Sequence, residues 1–143
     1  MTIHRMDHVG VVVDDLQAAI GFFLALGMEL DGQSSVEGSD RIVGLEGVRA
    51  DIAFVRTPDG HGRLELTKFN APAATSLEPN APANTPGLRH LTFAVDDLEA
   101  TLDRVRPHGA ELVGEVVQFG DTYRLCFLRG PQGVIIELAE RVG

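Results

Sequence analysis

Apolar residues recur along this chain with two periods, and the switch between them happens twice in the same order. From Met6 to Val13 they alternate, Val9, Val11 and Val13 on one side and His8, Gly10 and Val12 on the other, as in a half-buried strand. Leu16, Ala19, Ile20, Phe23 and Leu24 follow at helical spacing, which predicts an amphipathic helix directly after that strand. Gly27 is its natural stop. Three further strands are predicted at about 28–36, 50–56 and 63–69. From Leu88 the order returns: Leu91, Phe93 and Val95 alternate with His90, Thr92 and Ala94, and helical spacing follows at Leu98, Thr101, Leu102 and Val105. Gly109 is the stop, and strands are predicted at about 112–118, 122–129 and 133–139. Each half reads as a βαβββ unit.

The two halves also match residue by residue. Sliding the chain by the interval from His8 to His90 aligns His8-Val-Gly-Val-Val-Val-Asp-Asp-Leu with His90-Leu-Thr-Phe-Ala-Val-Asp-Asp-Leu, and brings Gly27, Leu30 and Gly32 onto Gly109, Leu112 and Gly114. Each half closes on a similar turn and strand, Pro58-Asp-Gly…Leu64-Glu65-Leu66 and Pro131-Gln-Gly…Ile136-Glu137-Leu138. Agreement at both ends indicates an internal duplication. The expectation is a single α+β domain over 1–143: module 1 at about 4–69, a Pro/Ala/Asn-rich linker at 70–87, and module 2 at 88–141. Residues 37–49 occur only in the first copy, where Asp40 to Glu46 suggest a short helix or a flap.

Strand parity then groups the chemistry, because successive side chains point to opposite faces. Val9, Val11 and Val13 suit the helix side, which leaves His8 on the other, and His90 is left there in the same way. Glu137 opposes Ile136 and Leu138, and Glu65 opposes Leu64 and Leu66. A carboxylate within Val-Ile-Ile-Glu-Leu is costly to bury alone, and coordination of a cation compensates it. One His and one Glu from each copy predict a site with two imidazole and two carboxylate ligands, His8, Glu65, His90 and Glu137. The pairs Asp14-Asp15 and Asp96-Asp97 immediately precede helices and read as caps rather than as catalytic carboxylates. His4, His61 and His108 lack duplicated counterparts and read as surface residues.

Composition excludes several functions. The 143 residues carry 12 basic against 21 acidic groups, for a net charge of −9, with no basic run to bind nucleic acid. No window is long and apolar enough to span a membrane, and no leader pattern opens the chain, so a cytoplasmic location is expected. Cys126, between Leu125 and Phe127, reads as a buried strand thiol with no partner for a disulfide.

Duplicated βαβββ modules, each opening on a His strand followed by V-D-D-L and closing on P-x-G…E-L, resemble the vicinal oxygen chelate superfamily. That group includes glyoxalase I, methylmalonyl-CoA epimerase, extradiol dioxygenases, fosfomycin-resistance enzymes and bleomycin-binding proteins. The resemblance covers almost the whole chain apart from the linker and residues 37–49, and it implies a curved, cavity-lining mixed sheet. His8, Glu65, His90 and Glu137 match the four metal-ligand positions of the glyoxalase I branch, implying one divalent ion per site, whether Zn, Ni, Co, Mn or Fe. The resemblance also implies a homodimer acting on a small molecule.

Where the glyoxalase I branch holds glutathione through an Arg, an Asn and a Lys, this chain has Val12, Phe69 and Phe119. A more apolar or aromatic substrate is therefore expected, contacted also by Phe54 and Thr92 and steered by Arg41 or Arg124. The bland reading of both arginines is solvated charge. The reaction expected is lyase- or isomerase-type: the metal polarises a carbonyl, and Glu137 or Glu65 moves a proton from the neighbouring carbon, with Glu46 a lesser candidate base. Two alternatives stand beside it, a non-catalytic antibiotic-type binding or resistance protein and an Fe(II) ring-cleaving dioxygenase.

Overall fold

Backbone contacts divide the computed structural model into two compact units, Met1–Ser76 and Leu77–Gly143, with residues 2–75 and 78–143 described. In the first unit the elements are β1 (Val9–Val12), α1 (Leu16–Leu26), β2 (Glu29–Glu37), α2 (Asp40–Val43), β3 (Arg49–Arg56) and β4 (Arg63–Ala71). They build a four-stranded sheet in the order β1-β4-β3-β2, in which β1 and β4 run parallel and the other pairs antiparallel. The second unit holds β5 (His90–Val95), α3 (Leu98–Val105), β6 (Glu111–Leu112), β7 (Val117–Phe119), β8 (Tyr123–Arg129) and β9 (Ile135–Arg141). Its sheet runs β5-β9-β8-β6, with β7 also on β8. Again the His strand lies parallel to the Glu strand, so the α+β fold of two βαβββ units is present as the duplication predicts.

The helices form where the caps and apolar stripes put them. Asp15 Oδ1 accepts from the amide of Ala18, and Asp97 Oδ1 from that of Ala100, each at 3.0 Å, so the second aspartate of each pair caps its helix. Ala19, Ile20, Phe22, Phe23 and Leu26 form the buried stripe of α1, while Leu24, expected inside, is 40% exposed. In α3 all four expected positions, Leu98, Thr101, Leu102 and Val105, are buried. Burying a Leu or Phe side chain in this way contributes about 1.5–3 kcal/mol. The stripes meet Val11, Val13, Val55, Leu64 and Leu66 in the first unit and Leu128, Ile136 and Leu138 in the second, all at most 8% exposed.

The units differ most after the helix. β2 is continuous apart from a register shift between Leu30 and Gln33, at Gly32, whose φ is 112°. The single strand predicted at 112–118 is instead two short pieces, β6 and β7, parted around Gly114. A glycine there packs no side chain and weakens the strand, so one repeated position yields a bulge in one copy and a break in the other. Residues 37–49 form α2 and a loop pinned by Asp40, whose carboxylate accepts from the amides of Gly47 at 2.7 Å and Val48 at 2.9 Å.

The expected linker, 70–87, also divides. Its first residues extend β4 to Ala71, and from Glu78 it belongs to the second unit. Arg129 donates to the carbonyls of Pro79, Asn80 and Ala81, at 3.1, 3.2 and 2.9 Å, and Arg89 donates to those of Ala81 and Pro82, each at 2.8 Å. Gly133 lies so close to the Pro79 backbone that a Cβ would collide with it. Cys126 is buried, and burial pushes its thiol above the ordinary value. Among the described residues no helix is long and apolar enough to cross a membrane.

Candidate metal centre

In the second unit, the register of three strands assembles a His–Glu pair. Thr92 on β5 and Phe127 on β8 both stand opposite Glu137 of β9. The Thr92 hydroxyl donates to Glu137 Oε1 at 2.8 Å, and His90 Nε2 lies 3.8 Å from the same oxygen. The His90 ring packs on Phe127, centroids 4.9 Å apart and planes tilted by 42°. Ile136 and Leu138, pointing the other way, are wholly buried under α3. Parity thus sets the carboxylate and imidazole together on the open face of the sheet.

The first unit repeats the plan with different supports. Gly10 on β1 and Phe54 on β3 stand opposite Glu65 of β4. His8 lies one residue ahead of β1, which is shorter than the strand expected from Met6, and its ring meets Phe54 edge-on at 5.5 Å and 89°. Gly10 offers Glu65 no hydroxyl, so Thr67 on the same strand supplies one, at 3.4 Å from Oε1. The surroundings of His8 are charged. Asp7 Oδ2 accepts from His8 Nδ1 at 2.8 Å, and Asp7 Oδ1 accepts from Arg5 at 3.0 Å. The His8 and Arg5 hydrogen bonds hold the Asp7 carboxyl below its ordinary value. Arg63 lies over the Phe54 ring at 3.9 Å, within 3.6 Å of Asp7 and 3.4 Å of Asp31.

The structure therefore brings two of the four predicted ligands, His90 and Glu137, together, and places His8 and Glu65 on either side of Phe54. Among the described residues no three His, Cys, Asp or Glu side chains gather as an ion would need. The His90–Glu137 pair nonetheless suits one: a half-buried glutamate beside an imidazole on an open sheet face presents oxygen and nitrogen donors of the kind divalent transition metals take.

The predicted substrate contacts scatter. Val12, 49% exposed, follows Gly10 on the His8 face, and Phe69 shares the Glu65 side of β4. Phe54 touches His8 itself, and Thr92 holds Glu137. Phe119, at the end of β7 opposite Tyr123, is 70% exposed. Arg41 is exposed on α2. Arg124 is corrected: it alternates with Phe127 along β8, lies on the helix side, and is engaged by Glu99 of α3 at 2.7 Å. Sequence reasoning missed Phe127, Asp7 and Arg63. Phe127 was readable from hairpin register, since it faces Glu137 as Phe54 faces Glu65.

A family model described as the Glyoxalase/Bleomycin resistance protein/Dioxygenase superfamily matches residues 5–138. The chain belongs to this superfamily. A crystal structure of a glyoxalase family protein from Bacillus cereus is similar over 100% of this chain and 97% of that one, at 43% identity and a TM-score of 0.95. YwbC of Bacillus subtilis is 29% identical over 140 residues, 96% of this chain and 98% of its own. CFP32 of Mycobacterium tuberculosis is 30% identical over 84 residues, and the match spans 57% of this chain and only 32% of that longer protein. The glyoxalase-like fold extends to FosX of Listeria monocytogenes, a fosfomycin resistance protein solved with Mn(II), at 16% identity, a TM-score of 0.64 and coverage of 96% and 90%.

Proposed function

We propose that this superfamily member is a divalent-metal-dependent lyase or isomerase that abstracts a proton next to a carbonyl of a small, rather apolar substrate. The observation that carries the reading is the twice-built arrangement of His, Phe and Glu on an open sheet face, His8/Phe54/Glu65 and His90/Phe127/Glu137. His8, Glu65, His90 and Glu137 would hold the cation, two ligands from each unit, within one chain or across a homodimer. A divalent ion bound there supplies Lewis acidity toward a carbonyl oxygen.

The chain's own groups account for the rest. Glu137 is the base: Thr92 and His90 both face Oε1, so the proton is taken at Oε2. Glu65, which receives only a long contact from Thr67, would serve as a ligand. Val12, Phe54 and Phe69, on the Glu65 side of the first sheet, would offer apolar surface to the substrate. Val12, Phe69 and Phe119 stand where the glyoxalase I branch has an Arg, an Asn and a Lys, which disfavours a glutathione adduct.

Substituting Glu137→Gln tests the reading. Metal content should persist while solvent deuterium exchange into a carbonyl substrate falls by about 10²–10⁴-fold, the usual worth of a positioned base. Unchanged exchange would remove Glu137 from the chemistry. Protein purified without chelator that holds no metal, yet binds an aromatic compound tightly, would replace catalysis by sequestration.

A further inference from the structure

The two histidines differ in what stands behind them, and the difference bears on how the metal is held. His8 Nδ1 is bonded at 2.8 Å to Asp7 Oδ2, and Arg63 braces that same oxygen at 3.6 Å while also pairing with Asp31 at 3.4 Å. Arg63 is itself seated on the Phe54 ring, whose edge contact fixes the His8 plane. In the second copy Arg89 stands where Asp7 does and Ile135 where Arg63 does. The Arg89 guanidinium is spent on the carbonyls of Ala81 and Pro82. Ile135 is buried.

We propose that Asp7 and Arg63 are positioning residues for His8, holding its imidazole with the proton on Nδ1 and Nε2 presented to the cation, so that the first unit is the pre-organised half of the metal site. This rests on the reading of His8 as a ligand. The physical basis is that a carboxylate accepting from one ring nitrogen fixes both tautomer and orientation and makes the other nitrogen a better donor. His90 is set instead by ring packing on Phe127 and by the carboxylate it would share with the ion, an arrangement that adjusts when the ion arrives.

Two measurements separate this inference from the reading beneath it. Imidazole ¹⁵N NMR of the metal-free protein should show His8 as the Nδ1–H tautomer, and Asp7→Ala should convert it to a tautomer mixture. Titration with Co(II) at fixed pH should give a dissociation constant about 10- to 100-fold weaker in Asp7→Ala, the usual cost of losing such a partner, with an altered visible spectrum of the bound ion. Asp7→Asn keeps an acceptor oxygen and should recover most of that affinity. Arg63→Met should show a smaller loss in the same direction, and Arg89→Met none. Wild-type protein that binds Co(II), with Asp7→Ala matching it in affinity and spectrum, overturns the positioning role and leaves the metal reading intact. Wild-type protein that binds no Co(II), despite the expected tautomer, overturns the metal reading and the proposal with it.

Discussion

The first and second units are copies of one plan, yet they spend their polar groups differently. The first surrounds His8 with ion pairs and pins its extra segment with carboxylate hydrogen bonds. The second packs its histidine on Phe127 and uses Arg89 and Arg129 to bind the incoming chain. Asp7, Asp40, Asp51 and Asp59, whose hydrogen bonds hold them below the ordinary carboxylate value, all lie in the first unit. The repeat thus keeps the core and the His and Glu positions and lets their surroundings diverge.

The contrast can be broken first at the cores, where it should vanish. Phe23→Ala in the first unit should cost about 3–5 kcal/mol and Leu102→Ala in the second about 2–5 kcal/mol, read by urea unfolding. A much smaller cost on one side would mean that its helix is not packed as described. Acid should sharpen the contrast instead. Asp40 is held below its ordinary value by the amides of Val48 and Gly47, Asp51 by Ser35 and Asn70, and Asp59 by Thr57 and His61. A depressed carboxylate stabilises the fold above its unfolded pKa, near 3.9 for aspartate, and that contribution is lost as pH falls through the lower folded value. Amide exchange followed into acid should therefore accelerate at Gly47, Val48 and His61 before it does in β8 and β9.

Smaller effects follow. Asp15→Ala and Asp97→Ala should each cost about 1 kcal/mol, equal within error, because the two caps have the same geometry. Arg124→Ala should cost at most about 1 kcal/mol, since its pair with Glu99 is partly exposed. It should leave metal content unchanged, because it lies on the helix side. A loss of metal in that variant would contradict the assignment of faces on β8.

What could be read without coordinates followed from period and repetition. Alternation placed His8, Glu65, His90 and Glu137 opposite their buried neighbours because one face of each sheet is covered by a helix, and a one-residue slip would bury the charge. The β2 to β4 strands fell within two residues of expectation for the same reason. What escaped depended on contacts distant in sequence. Leu24 satisfies helical spacing, but Phe22 and Leu26 are the residues that meet the sheet. Arg124 looked available until β8 parity put it against Glu99. Asp7 and Arg63 have no counterpart in the second copy, so a search guided by the duplication passed over them.

The turn that closes each copy shows the same divergence from a shared motif. Gly60 and Gly133 both adopt left-handed backbone, with φ of 77° and 73°, so each needs glycine for conformation. Only Gly133 also needs it for room, since Pro79 fills the space where a side chain would begin. Ancestry and folding therefore place the seam between the repeats at different points. The copied segment starts with the strand bearing His90, but the piece that holds together starts upstream, with the segment clasped by Arg129. Severing the gene at the repeat boundary would strip that clasp from the second half, whereas a cut ahead of Glu78 would carry it along.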